Sequence, residues 1–293
     1  MTEKTLDTLV EDIYGLLDTG LPRDYEEDKI TGFGLRLASI LRDRLSDRES
    51  RPATLRMSNI GTPCNRKLWY GVNQAEDKTP LPPATRLKFL YGDILEELLL
   101  FLAEASGHEV TGRQDTQEIE GIEGHRDAVI DGVVVDAKSA STYSFKKFET
   151  HGLAEDDPFG YIDQLQSYLH AGQTDDKVKD KDRAAFLVVD KTLGHICLDI
   201  HPRRQNFPIE KLYQYKKDVV ARTEPPARKY EPIPDGKSGN MKLGTVCSYC
   251  DFSRTCWPGS RTFLYANKPV TLVHVAREPN VPELTNTRSD DSE

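Results

Sequence analysis

The sequence predicts a mixed α/β fold. An apolar-striped helix over residues 84–107 gives way to a strand-rich stretch from His108 through Lys138. Within that stretch, AVIDGVVVDAK places an Asp-Gly turn between two apolar runs, a hairpin signal. Helical and strand patterns then alternate to about residue 222. The order helix, strands, helix, strands, helix points to a mixed central sheet flanked by helices.

Taken in order, residues 1–20 carry helical spacing through Leu6, Leu9, Val10, Ile13, Leu16 and Leu17, and the acidic link GLPRDYEED follows. A second helix is expected over about 33–47. RPATLRMSNIGTPCNRKLWYG reads as a loop entering a short helix near Pro63, and KTPLPP as a linker. In the long helix, Leu87, Leu90, Ile94, Leu98, Phe101 and Leu102 make one stripe, and Gly107 ends it. Gly121, Gly124 and Gly132 break the strand territory. FGYIDQLQSYLHAG returns to helix with Ile162, Leu165 and Leu169 inward. AAFLVVD and GHICLDI are two further strands, and PIEKLYQYKKDVVAR is a helix with Pro208 near its first turn. The rest is expected to be loop-rich, with a disordered end at TNTRSDDSE. No internal repeat is present.

The 293 residues allow one large domain or two small ones, and 37% hydrophobic content suffices for a core. A charged content of 30% and a mean hydropathy of −0.58 predict a soluble chain, with no apolar run long enough for a membrane span. The start, MTEKTLDTLVEDIYGLL, lacks a basic region ahead of an apolar one, so no secretory leader and a cytoplasmic chain are expected. Net charge is −9, which at first opposes a nucleic-acid partner. Residues 1–29 carry −6 and residues 278–293 carry −4, however, leaving +1 between them. The middle can therefore hold local basic patches: Arg66 with Lys67, Lys146 with Lys147, Arg203 with Arg204, and Lys216 with Lys217. Each pair alone reads first as solvated surface.

Asp127 and Asp136 flank the hairpin, and Lys138 follows the second acid with one residue between. Alternation along a strand puts Asp136 and Lys138 on one face, which Asp127 can reach from the partner strand. Two carboxylates held together repel unless a cation lies between them. Mg²⁺ or Mn²⁺ suits such oxygen ligands and can activate water against a phosphoryl group. A surface hairpin with ordinary salt bridges is the competing interpretation.

GHRD, a strand, and then DAK resemble the PD-(D/E)XK nuclease superfamily, which has a restriction-endonuclease-like core. Asp127 matches the first acidic motif, and Asp136 with Lys138 matches D-x-K, with Asp where Glu is common. QLQSY, with Gln164 and Tyr168 four apart, resembles the Q-x-x-x-Y motif of the RecB-like branch. That branch carries a His or Glu four residues after a helical glycine, a spacing met by Gly92 and Glu96, with Glu97 the neighbouring alternative. The resemblance implies that Glu96, Asp127, Asp136 and the backbone carbonyl of Ala137 hold the metal. It implies further that Lys138 positions water and that Gln164 and Tyr168 orient Lys138 or the strand. His125 falls beside the site, with a structural role the more economical assignment. Trp69, Tyr70 and Tyr143 are candidates for stacking on bases, although core packing is the more economical role for any one of them.

CSYCDFSRTCW gives C-x2-C-x5-C through Cys247, Cys250 and Cys256. Three clustered thiolates and a fourth ligand suit zinc or a 4Fe–4S cluster, and spacing alone does not choose. The iron–sulfur branch of RecB-like nucleases places one cysteine before the core and three after it. Cys64 and the triplet resemble that arrangement, which implies a 4Fe–4S cluster, with Zn²⁺ the alternative. Such a group would staple the segment before the core to the segment after it. Cys197, in an apolar strand, is expected to be a buried core thiol.

The resemblance spans about residues 60–260 and is nearest to phage-encoded, CRISPR-associated-exonuclease-like proteins. It implies an acidic N-terminal helical region at 1–50, a nuclease domain closed by four cysteines at 51–265, and a C-terminal extension at 266–293. The activity implied is a metal-dependent DNA exonuclease acting on single strands or ends, in recombination, repair or phage DNA metabolism, with a recombination or helicase protein as a possible partner. A structure-specific endonuclease or nickase, and a non-catalytic DNA-binding adaptor with a metal staple, are the alternatives.

Overall fold

The computed structural model describes residues 4–46, 53–266 and 268–284. The expected disorder at 285–293 and the boundary near residue 50 lie outside the described residues. The chain forms two compact units. One comprises the residues up to Gly61 together with Pro82–Lys217, and the other comprises Thr62–Leu81 with the residues from Asp218 onward.

In the first unit a turn of 3-10 helix at Leu6–Thr8 leads into α1 (Leu9–Thr19), and α2 (Glu27–Leu45) follows. α2 begins six residues earlier than its apolar spacing suggests, because Glu27 and Asp28 favour the positive end of the helix. A single turn, α3 (Met57–Ile60), precedes the passage into the second unit, where α4 (Asn65–Asn73) lies. The chain returns in α5 (Pro83–Ala105), with proline at its first turn. Only the C-terminal half of α5 is fully buried, through Leu99, Leu100 and Ala103, whereas Leu87 is exposed. Phe101 instead stacks on Phe33 of α2 at 4.5 Å between ring centroids.

Five short strands come next: β1 (Val110–Thr111), β2 (Thr116–Ile119), β3 (Ile122–His125), β4 (Ala128–Ile130) and the longer β5 (Val133–Ala140). Helix α6 (Thr142–Glu149) was not expected. Its two buried anchors, Phe145 and Phe148, are too few to show a period in sequence, and its start is capped by Ser141. α7 (Tyr161–Ala171), β6 (Arg183–Asp190), β7 (Ile196–Pro202) and α8 (Ile209–Val220) complete the run.

The central sheet has the order β1-β4-β5-β6-β7. Its β5–β6 pair is parallel and the others are antiparallel, so the sheet is mixed. One face carries Val134, Phe186 and Val188 against Leu165, Tyr168 and Leu169 of α7. The other carries Val133, Val135 and Leu187 against Leu9 and Ile13 of α1 and Leu99 and Leu100 of α5. Burial on both faces explains the nearly continuous apolar runs of β5 and β6.

α7 starts where two backbones nearly touch. A Cβ on Gly160, which has φ +78°, would lie 1.8 Å from the Gly61 carbonyl oxygen, and one on Gly61 would lie 2.1 Å from the Gly160 oxygen. Glycine is required at both positions. Asp157 caps the turn by accepting the N–H groups of Gly160 at 2.8 Å and Ile162 at 2.9 Å.

The second unit is less loop-rich than expected. It holds β8 (Ile233–Pro234), β9 (Met241–Lys242), the single turns α9 (Thr245–Ser248) and α10 (Ser253–Cys256), and the hairpin β10 (Arg261–Tyr265) and β11 (Lys268–His274). The four strands form one sheet, β10-β11-β9-β8. Two of them are only two residues long, too short to show alternation in sequence. The acidic extension is anchored here: Glu283 bridges to Phe263, and Arg261 pairs with both Glu278 and Glu283. No helix among the described residues is long and apolar enough to cross a membrane.

Candidate active site

The hairpin is closed by Asp131 and Gly132, with φ of 48° and 81°. Both central residues are left-handed, the two-residue turn that matches strand twist. The register pairs Ile130 with Val133, Val129 with Val134 and Ala128 with Val135. Continued by one step, it sets Asp127 opposite Asp136. Asp127 accepts the Ala137 backbone N–H at 2.8 Å, which locks its carboxylate to the partner strand. Asp136 is 2% exposed. Its Oδ1 accepts from Gln164 Nε2 at 3.3 Å. Its Oδ2 forms an ion pair with Lys138 Nζ.

Three elements close around this pair. α5 brings Glu96, whose Oε1 accepts from Gln114 Nε2 at 3.1 Å. α7 brings Gln164 and, one turn on, the buried Tyr168. Tyr161, at the start of α7, places its ring 5.6 Å from Lys138 Nζ. Tyr161 and Gln114 were not singled out from the sequence. Tyr161 is three residues before Gln164, a helical spacing that could have flagged it; Gln114 is reachable only through the tertiary fold.

The electrostatics are those of crowded acids. Burial and then the Asp127 charge push the Glu96 carboxyl well above the usual range. Burial and then Asp136 do the same to Asp127. Burial pulls the Lys138 ammonium down, but Asp136 and Asp127 outweigh it and hold the group above the ordinary lysine range.

Glu97 goes elsewhere: it accepts from Arg36 Nε at 2.5 Å and Arg113 Nη1 at 3.1 Å. His125 is exposed at the end of the β2–β3 hairpin, paired in register with Thr116. Trp69 and Tyr70 are buried in the second unit, with Trp69 Nε1 donating to the Arg222 carbonyl at 2.8 Å, whereas Tyr143 is 78% exposed. Several supposed surface cations are engaged within the fold. Lys147 pairs with Asp156, Arg204 bonds to Asp163 and Arg66 to the Pro226 carbonyl, and Lys216 is buried.

Cys64, Cys247, Cys250 and Cys256 all lie half-buried in the second unit as free thiols. Burial, followed by the charges of Cys250, Cys64 and Cys256, pushes the Cys247 thiol up to about 11. Cys250 and Cys256 pack on Trp69, Tyr70 and Phe252. Cys197 is half-buried rather than buried, in the outermost strand β7, and burial with Asp199 beside it pushes its thiol up to about 12. Among the described residues, no three His, Cys, Asp or Glu side chains are arranged as metal ligands, in either the acid pocket or the cysteine segment.

No family model matches the chain, and no curated protein matches it. Structural comparison finds similarity to the crystal structure of SSO0001, with 17% identity and a TM-score of 0.39 over 77% of this chain and 96% of that one. It also finds similarity to a phage-related exonuclease from Haemophilus somnus 129PT, with 14% identity and a TM-score of 0.27 over 72% of this chain and 88% of that one.

Proposed function

We propose that the protein is a metal-dependent deoxyribonuclease of the PD-(D/E)XK type, an exonuclease acting on single-stranded DNA or DNA ends. The observation that carries this reading is the opposition of Asp127 and Asp136 across the hairpin, with Lys138 paired to Asp136 and Glu96 against Asp127. Three carboxyls share the pocket with one ammonium. These crowded carboxyls form an all-oxygen donor set that suits Mg²⁺ or Mn²⁺. Glu96, Asp127, Asp136 and the Ala137 carbonyl would hold the ion. Such an ion, when bound, supplies Lewis acidity toward a phosphoryl oxygen and activates water.

The chain's own residues do the rest. Lys138, kept protonated, donates hydrogen bonds and is suited to orient water or stabilise developing negative charge. Gln164 fixes the Asp136 carboxylate, and the Tyr161 ring limits where the ammonium can sit. In the second unit, Cys64, Cys247, Cys250 and Cys256 are half-buried free thiols, a soft donor set that suits a 4Fe–4S cluster, with zinc the alternative occupant. The setting that fits is recombination, repair or phage DNA metabolism in the cytoplasm, alongside a recombination or helicase protein.

The test is cleavage of linear single-stranded, linear duplex and closed circular DNA with Mg²⁺ or Mn²⁺. Wild-type protein should degrade linear DNA, and Asp136→Ala and Lys138→Ala should each lose about 100- to 1000-fold in rate. Cutting of closed circles would reassign the protein as an endonuclease or nickase. No cleavage of any form by wild type would end the enzyme reading.

A further inference from the structure

We infer that Gln114 is a positioning residue for Glu96, held in a strained backbone conformation by a buried arginine; the inference rests on the nuclease reading above. Gln114 has φ 55°, the left-handed region that a side chain longer than Asn seldom adopts. Strain of this kind persists only where surrounding structure enforces it, and it gathers at functional sites.

The enforcing contacts come from two directions. Arg126, with no exposed surface, donates Nε to the Gly112 carbonyl at 3.4 Å and Nη2 to Asp115 Oδ2 at 2.8 Å, and it pairs with Asp175 at 2.6 Å. Its backbone N–H also donates to the Asp115 carbonyl at 3.2 Å. Arg126 therefore grips both ends of the 112–115 loop. From the other side, Arg113 donates to Glu97, to Glu104 at 2.9 Å and to the Leu100 carbonyl at 3.2 Å, fastening the loop to α5.

Between these clamps Gln114 touches both acids. Its side-chain amide donates to Glu96 Oε1, and its backbone N–H donates to the Asp127 carbonyl at 3.2 Å. It is the link between the helix carrying one acid and the residue bearing the next. Glu96 has a long, rotatable side chain on the helix surface, and the Gln114 amide restricts which way its carboxyl turns. Residues that orient ligands in this manner typically change metal affinity or activity about 10- to 100-fold when removed.

The role separates from ordinary stability because strain and function oppose each other at this position. Gln114→Gly and Gln114→Asn both tolerate a positive φ, and neither side chain reaches Glu96 as Gln does. Each should raise the thermal midpoint of the metal-free protein by about 1–3 °C. Each should also weaken Mn²⁺ binding, followed by electron paramagnetic resonance, by about 10-fold, and slow cleavage by a similar factor. Variants that bind Mn²⁺ and cleave like wild type, or that lose binding only together with thermal stability, would overturn the inference. Asp136→Ala serves as the control. If it binds Mn²⁺ as wild type does, the metal reading fails, and the role of Gln114 fails with it. If wild type binds Mn²⁺ and Asp136→Ala does not, the metal reading stands and the Gln114 variants decide the positioning role.

Discussion

The acid pocket of the first unit and the cysteine segment of the second gather sequence-distant residues by different means. In the pocket, backbone register does the placing. β5 pairs with β4 on one side and runs parallel to β6 over seven residues on the other, and both faces of the sheet are covered by helices. The carboxyls stay together although they repel. In the cysteine segment, α9 and α10 are four residues each, and the packed centre is Trp69, Tyr70 and Phe252. Side chain-to-backbone hydrogen bonds join the early and late stretches: Trp69 to Arg222, Asn73 to Val220 at 2.9 Å, Arg66 to Pro226 at 2.7 Å, and Lys229 to Pro63 at 3.1 Å. The difference teaches where a bound metal would matter for folding. Strand register holds the pocket's repelling carboxyls together, whereas the cysteine segment packs on a small aromatic cluster.

Replacing a thiol tests that contrast most severely. Cys247→Ser or Cys250→Ser should empty the cysteine site of iron or zinc and lower stability by about 3 kcal/mol or more. Metal content of an anaerobic preparation and a urea titration read the two effects. A metal-free variant with an unchanged midpoint would show that the hydrogen bonds suffice and that the staple is not needed.

A smaller effect separates neighbours on α5. Glu97→Gln removes the charge facing Arg36 and Arg113 and should cost about 1–2 kcal/mol while leaving cleavage near wild type. Glu96→Gln relieves repulsion with Asp127, so stability should rise while cleavage collapses. Equal losses of activity in both variants would erase the distinction between them.

The mildest effect is on the pH dependence of stability. Glu96 and Asp127 are raised in the folded protein, so the native state keeps protons that the unfolded chain releases. Stability present below the ordinary carboxylate range is therefore lost as pH rises through it toward the raised values. In a chelator, the thermal midpoint should decline from about pH 4 upward, and Glu96→Gln should flatten the decline. Coincident curves for the two proteins would show that the carboxyls do not couple.

By itself the sequence determined the mixed α/β class and the Asp131–Gly132 hairpin. The Asp131–Gly132 turn admits one register, and a period of two then carries Asp127 across from Asp136 and leaves Lys138 on the face of Asp136. Local chemistry suffices there because a tight turn transmits its geometry step by step along the strands. It left α6 unread, for want of more than two apolar anchors, and it left the second unit's sheet unread, because two-residue strands carry no period. Only the tertiary structure gives Glu96 and Glu97 different surroundings. They differ by one step around a helix, and what distinguishes them is that Arg36 and Arg113 face one while Asp127 and Gln114 face the other. The same holds for Gln114 itself, whose conformation is imposed by Arg126 and α5 rather than by its neighbours in sequence.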